Sequence, residues 1–95
     1  MRKNKITEMK HRVKTLQRRL GQIGPLMRGT VVLLGARNKQ PYFSLNKEKK
    51  TRLIYLGKKR EAAARQLSAN YKTLLAIVEE MTLLNMELLK QNAWD

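Results

Sequence analysis

Side chains able to do covalent or metal chemistry are scarce in this chain, while those able to hold anions are plentiful. His11 is its one histidine, cysteine is absent, and the acids are Glu8, Glu48, Glu61, Glu79, Glu80, Glu87 and Asp95. A Ser-His-Asp set, a thiolate nucleophile or a zinc knuckle needs more members than this. Glu79 and Glu80 are the one adjacent acidic pair, and neighbouring helix positions do not converge on a site. A magnesium site built from carboxylates would need acids within the basic region, where only Glu8 and Glu48 stand. No glycine-rich phosphate loop follows a candidate strand. The expectation is a protein that is not an enzyme and carries neither metal nor cofactor.

The anion-binding side is defined by charge. Lys and Arg number 21 against seven Asp and Glu, a formal +14 on 95 residues. Eighteen of those bases but only two of the acids precede Glu61. Self-repulsion on this scale opposes compaction, and an asymmetry this sharp points to a polyanionic partner. Nucleic acid is the first expectation, DNA and RNA being equal at this level because phosphate neutralisation serves both. The candidate contacts begin with Arg12, Lys14, Arg18 and Arg19 in the N-terminal segment. Arg28, Arg37, Asn38 and Lys39 follow, then Tyr42, Lys47, Lys49, Lys50 and Arg52. Lys58, Lys59 and Arg60 complete the set at the expected start of a long helix. There the macrodipole disfavours cations by roughly 0.3–1 kcal/mol each, yet backbone donors beside cations make a phosphate seat. Tyr42, Ser44, Asn46, Thr51, Arg52 and Tyr55 would add hydrogen bonds and stacking from a sheet.

The elements that must carry these residues follow from periodicity. Ile6, Met9, Val13, Leu16, Leu20 and Ile23 recur at steps of three and four, a narrow apolar seam on a helix over residues 3–23. Gly21, Gly24 and Pro25 end it. The β-branched run Thr30–Leu34, flanked by Gly29 and Gly35, is expected to be a first strand, residues 41–46 a second and 51–56 a third. Phe43 and Leu45 should face one side of the sheet, with Tyr42, Ser44 and Asn46 on the other. Residues 59–92 lack Gly and Pro and form a long helix, with 68–70 its weakest stretch and the expected kink or break. Tyr71, Leu74, Val78, Met81, Asn85 and Leu88 keep a heptad register and are the expected oligomerisation surface. Asn85 reads either as solvent-facing or as a buried polar pair that fixes register in a homodimer. Trp94 is expected to be disordered or to make a minor contact at the chain end.

The fold class is therefore α+β, a basic N-terminal helix, a three-stranded antiparallel meander and a long C-terminal amphipathic helix, divided at residues 1–25, 26–57 and 58–95. No apolar run approaches the roughly 20 residues of a membrane span, and the basic start leads into an amphipathic pattern rather than a signal-peptide block. The expectation is a cytoplasmic protein acting in a homo-oligomer or larger complex. A membrane-surface role for residues 3–23 is weaker, because that seam has no Trp or Phe. The rival reading uses the same bases on another partner, a small adaptor or inhibitor that binds an acidic protein surface such as a nuclease channel.

With Gly29-Thr30-Val31-Val32 before it and Thr51-Arg52-Leu53-Ile54-Tyr55-Leu56 after it, Pro41-Tyr42-Phe43-Ser44-Leu45 resembles a family of small uncharacterised prokaryotic proteins. Those carry a Gly-Ser/Thr opening, a Gly-Pro-Tyr-Tyr strand, a Lys-Thr-Arg strand and a long helix rich in Glu, Leu and Asn. Tyr71, Glu79, Glu80, Leu84, Asn85, Leu88 and Leu89 are similar to that helix, so the resemblance spans residues 29–90. It implies an association with transposases and other mobile elements, without an established activity; the expected function is an accessory or regulatory nucleic-acid-binding factor of a mobile element or RNA-guided system. The family's usual cysteine cluster is replaced here by Gly35-Ala36-Arg37-Asn38-Lys39-Gln40, so no metal or redox role carries over. The order of three strands then a helix is also similar to the arm-type DNA-binding domain of phage-type integrases.

Overall fold

The computed structural model describes residues 2–94, with side chains from Lys5 onward. Its elements are α1 (Arg2–Gly21), β1 (Thr30–Leu34), β2 (Gln40–Lys47), β3 (Lys50–Tyr55) and α2 (Gly57–Lys90). The expected α+β order is present, with the three strands in one antiparallel sheet ordered β1-β2-β3. Spatial grouping follows packing rather than chain order. One compact unit joins α1 to α2 from Thr73 onward, and the other is Gly24–Lys72.

In the first unit, the α1 seam buries Met9, Val13 and Leu16, the last with no exposed surface. Met9 and Val13 meet Leu88, with Ile6, Met81, Leu84 and Ala93 around them. Ile77, 2% exposed, is the other fully buried side chain of this half of α2. The C-terminal end of α2 is closed by paired backbone bonds. Asn92 takes a positive φ of 51°, its N–H donates to the Leu89 carbonyl at 3.1 Å, and the Ala93 N–H donates to Leu88 at 2.8 Å. These are the bonds of a Schellman cap, in which the residue after the positive φ packs back on the last turn. Ala93 does so against the Leu88 cluster.

In the second unit, Phe43, Leu56 and Ala64 form the core, with Met27, Val31 and Leu45 packed on it. Ala64 is the small residue that lets the helix lie close to the sheet. Phe43 reaches Gly29, whose φ is +134°, and a Cβ there would sit 2.7 Å from both the Phe43 ring and the Ser44 carbonyl. Glycine is required at that position. Residues 68–70 do not break the helix, which is continuous from Gly57 to Lys90. Their polar side chains instead fasten the segment before β1. Buried Ser68 donates its hydroxyl to the Gly29 carbonyl at 2.8 Å, Asn70 donates to Pro25 O at 2.7 Å, and the Met27 N–H donates to Leu67 O at 3.2 Å.

Ser68→Ala removes the buried hydroxyl that holds the partly buried Gly29 carbonyl and should cost about 1–2 kcal/mol of unfolding free energy in urea. A variant as stable as the parent would show that the Ser68 bond does not hold the β1 approach.

Candidate nucleic-acid interface

Antiparallel register sorts the strand residues into two faces. Val31, Phe43 and Ile54 share a row, as do Leu45 with Arg52 and Lys47 with Lys50; this is the side on which Ala64 packs. The opposite side carries Thr30, Val32 and Leu34 from β1, Gln40, Tyr42, Ser44 and Asn46 from β2, and Thr51, Leu53 and Tyr55 from β3. That second face contains no Lys, Arg, Asp or Glu. Its polar groups are ordered by one another. Tyr42 and Tyr55 meet edge to face with ring centroids 5.4 Å apart. The Tyr55 hydroxyl donates to Gln40 Oε1 at 3.2 Å, and the Thr51 hydroxyl donates to Asn46 Oδ1 at 2.7 Å.

Cations frame this neutral face at both sheet ends. The β1–β2 connection exposes Arg37, Asn38 and Lys39. The β2–β3 hairpin turns through two residues, Glu48 at φ 54° and Lys49 at φ 65°, between the paired Lys47 and Lys50. A two-residue turn with both φ values positive is the kind that usually takes Asn-Gly, so Glu-Lys holds backbone strain of order 1 kcal/mol or more at each residue. Three lysines are thereby presented at one tight tip.

Several expected contacts are occupied by the protein itself. Arg12 makes a two-pronged bond to Glu80, Nε to Oε2 at 2.7 Å and Nη2 to Oε1 at 3.1 Å. Arg28 donates to the Asn46 carbonyl at 2.9 Å. Arg60 reaches back from α2 to the Tyr55 and Leu56 carbonyls at 2.6 and 3.1 Å, which explains a cation at a helix start that the macrodipole disfavours. Arg52 lies on the helix side of the sheet rather than with Tyr42. There it rims a groove of about 450 Å³ with Met27, Arg28, Phe43, Leu45, Lys47 and Ile54. Lys14, Arg18, Arg19, Lys58 and Lys59 are exposed, as are the cations of both turns, and none of these joins an ion pair among the described residues.

The residues expected to oligomerise are divided as well. Leu88 is buried against α1 and Met81 packs on the same cluster. Tyr71 and Leu74 are half-buried, and Val78 is exposed. Asn85, half-buried, accepts the Trp94 indole N–H at 3.1 Å. Sequence reasoning placed Gln40 in a run able to read base edges but missed Lys10 and Trp94. The signal for Trp94 was Asn92, a residue type suited to the positive φ that turns the chain back.

Among the described residues no group of three or more His, Asp or Glu side chains converges, and no helix is long and apolar enough to cross a membrane. Comparison with protein-family models, with curated proteins and with solved structures finds no match.

The Glu80 carboxyl is held below its ordinary value, chiefly by the Arg12 hydrogen bond, with the charges of Arg12 and Arg19 adding to it against partial desolvation. A carboxyl lowered on folding stabilises above its unfolded value and loses that contribution as pH falls through the lowered one. Thermal melts should therefore fall in midpoint below about pH 4, and Glu80→Gln should shrink that fall while lowering the neutral-pH midpoint. An identical acid-side fall in both proteins would rule out Glu80 as its source.

Proposed function

We propose that this protein is a non-catalytic nucleic-acid-binding factor whose sheet face rests on the polymer while its basic turns hold the phosphates. The observation that carries this is the arrangement of unit Gly24–Lys72, an uncharged hydrogen-bonding and aromatic face with cations at both ends. Base edges are read by neutral donors and acceptors, and phosphates are held by Lys and Arg, so the two chemistries are needed side by side. A β-ribbon fits the roughly 12 Å major groove. The tyrosines offer stacking surfaces if the target is single-stranded. The likeness of residues 29–90 to the mobile-element-associated family supports a role as an accessory or regulatory factor of such a system.

The α2 surface supports self-association. Leu75, Val78, Met86 and Leu89 are exposed, Leu89 at 61%, and their spacing is symmetric about Thr82. Antiparallel pairing of two copies about Thr82 sets Leu75 against Leu89 and Val78 against Met86, a self-complementary contact of the kind two-fold dimers use. The rival reading, an acidic protein partner, draws on the apolar groove at Phe43 and Ile54 with its rim of Arg28, Lys47 and Arg52.

Two measurements test these readings. About five phosphate contacts at the two turns give a slope of log K against log salt of roughly −4 to −5 on duplex DNA. Lys49→Glu with Lys50→Glu should flatten that slope by about two, Tyr42→Ala should weaken binding without changing it, and Lys72→Glu should do little. A slope near zero contradicts the proposal, and clean protein that ignores oligonucleotides but captures an acidic polypeptide favours the rival. In light scattering the parent should be a dimer and Leu75→Lys with Leu89→Lys a monomer; a monomeric parent contradicts the α2 pairing.

A further inference from the structure

The first unit holds a second feature that the sheet reading does not use. The cations of α1 fall into two sets. Arg12 is bonded to Glu80 and is the chief cause of its lowering, to which Arg19 adds charge; Glu87 is lowered chiefly by the Gln91 hydrogen bond and the Lys90 charge, with Lys5 adding a little. Lys10, Lys14 and Arg18, spaced by four, form a separate row along one side of the helix. No member of that row is in an ion pair among the described residues.

Beside this row lies a cleft of about 290 Å³ lined by Lys10, Val13, Lys14, Gln17, Leu88 and Trp94. Trp94 is held there by two constraints. The Schellman cap turns the chain back at Asn92, and the indole N–H is fixed on Asn85 Oδ1 at 3.1 Å. Trp94 keeps 49% of its surface exposed. An aromatic side chain locked by its polar edge, half open to solvent and flanked by lysines that join no ion pair among the described residues, combines a stacking platform with an anion clamp. Gln17 adds an amide that can both donate to and accept from a base edge.

We propose that this cleft binds one unstacked nucleobase of a single strand, stacked on Trp94, with the adjoining phosphates on Lys10 and Lys14. The inference rests on the nucleic-acid reading but uses different residues from the sheet face. A paired base inside a duplex keeps both of its faces stacked and offers none to the indole, so the site prefers single-stranded DNA or RNA.

Trp94 is the chain's one tryptophan, so its fluorescence reports this cleft alone. The full-length protein is titrated with a fluorescein-labelled twelve-nucleotide oligo(dT), following label anisotropy for binding anywhere and, with unlabelled oligo(dT), indole emission for binding at the cleft. Saturable quenching is expected at the midpoint of the anisotropy curve. Lys10→Gln with Lys14→Gln should weaken the quenching midpoint at least fivefold, with helical circular dichroism unchanged. Trp94→Ala should weaken oligo(dT) binding at least fivefold, with Trp94→Phe recovering part of the loss. Anisotropy change without quenching overturns the cleft and leaves the sheet reading standing. Equal quenching by a blunt duplex of the same length overturns the assignment to an unstacked base. No anisotropy change with either polymer overturns both readings.

Discussion

Seven acids facing twenty-one bases is the constraint from which the rest of this molecule follows. Three ion pairs form among the described residues, Arg12–Glu80, Arg65–Glu61 and Lys90–Glu87, and only the first joins different elements. The others are single-turn pairs on α2, open to solvent and screened by it. Most of the basic side chains therefore project into water, and cohesion comes from two small apolar clusters and a few well-placed hydrogen bonds. A chain of this length buries little apolar area per residue, so each such contact weighs heavily. The bonds of Ser68, Asn70 and the Met27 amide to the segment before β1 belong in that class.

The cations divide by what surrounds them. Arginines near open backbone carbonyls or a carboxylate bond inward, as Arg12, Arg28 and Arg60 do, because the guanidinium fork matches those acceptors. Lysines gather at exposed turns and along the free side of α1, where their flexible stems keep the ammonium hydrated. The surface left for a polyanion is thus mostly lysine, suited to phosphate contact rather than base discrimination. Discrimination, on this account, comes from the neutral sheet face, where Tyr42, Tyr55, Asn46 and Thr51 are held in place by one another.

Much of this was legible in the chain. The steps of three and four from Ile6 to Ile23 named the buried face of α1, and alternation in Tyr42-Phe43-Ser44-Leu45-Asn46 named both faces of β2. What escaped depends on a partner distant in sequence. Ser68 and Asn70 have low helix propensity and were expected to break α2, yet their side chains find carbonyls some forty residues away and the helix passes through. Val78 and Ile77 are both apolar neighbours on α2, and nothing in their types shows that Ile77 is buried while Val78 faces out. Arg60 carried a charge signal for phosphate, whereas the ends of β3 and its following residue claimed it. Trp94 was unreadable without the turn at Asn92.

The central claim is that the neutral face of the sheet touches nucleic acid. Ultraviolet crosslinking of the intact protein to a duplex, followed by peptide mass spectrometry, tests it most directly. The account predicts adducts on Tyr42 and Tyr55, with lysine adducts at the β2–β3 turn. Adducts confined to α2 between Leu75 and Leu89, or none at all in low salt, would contradict it.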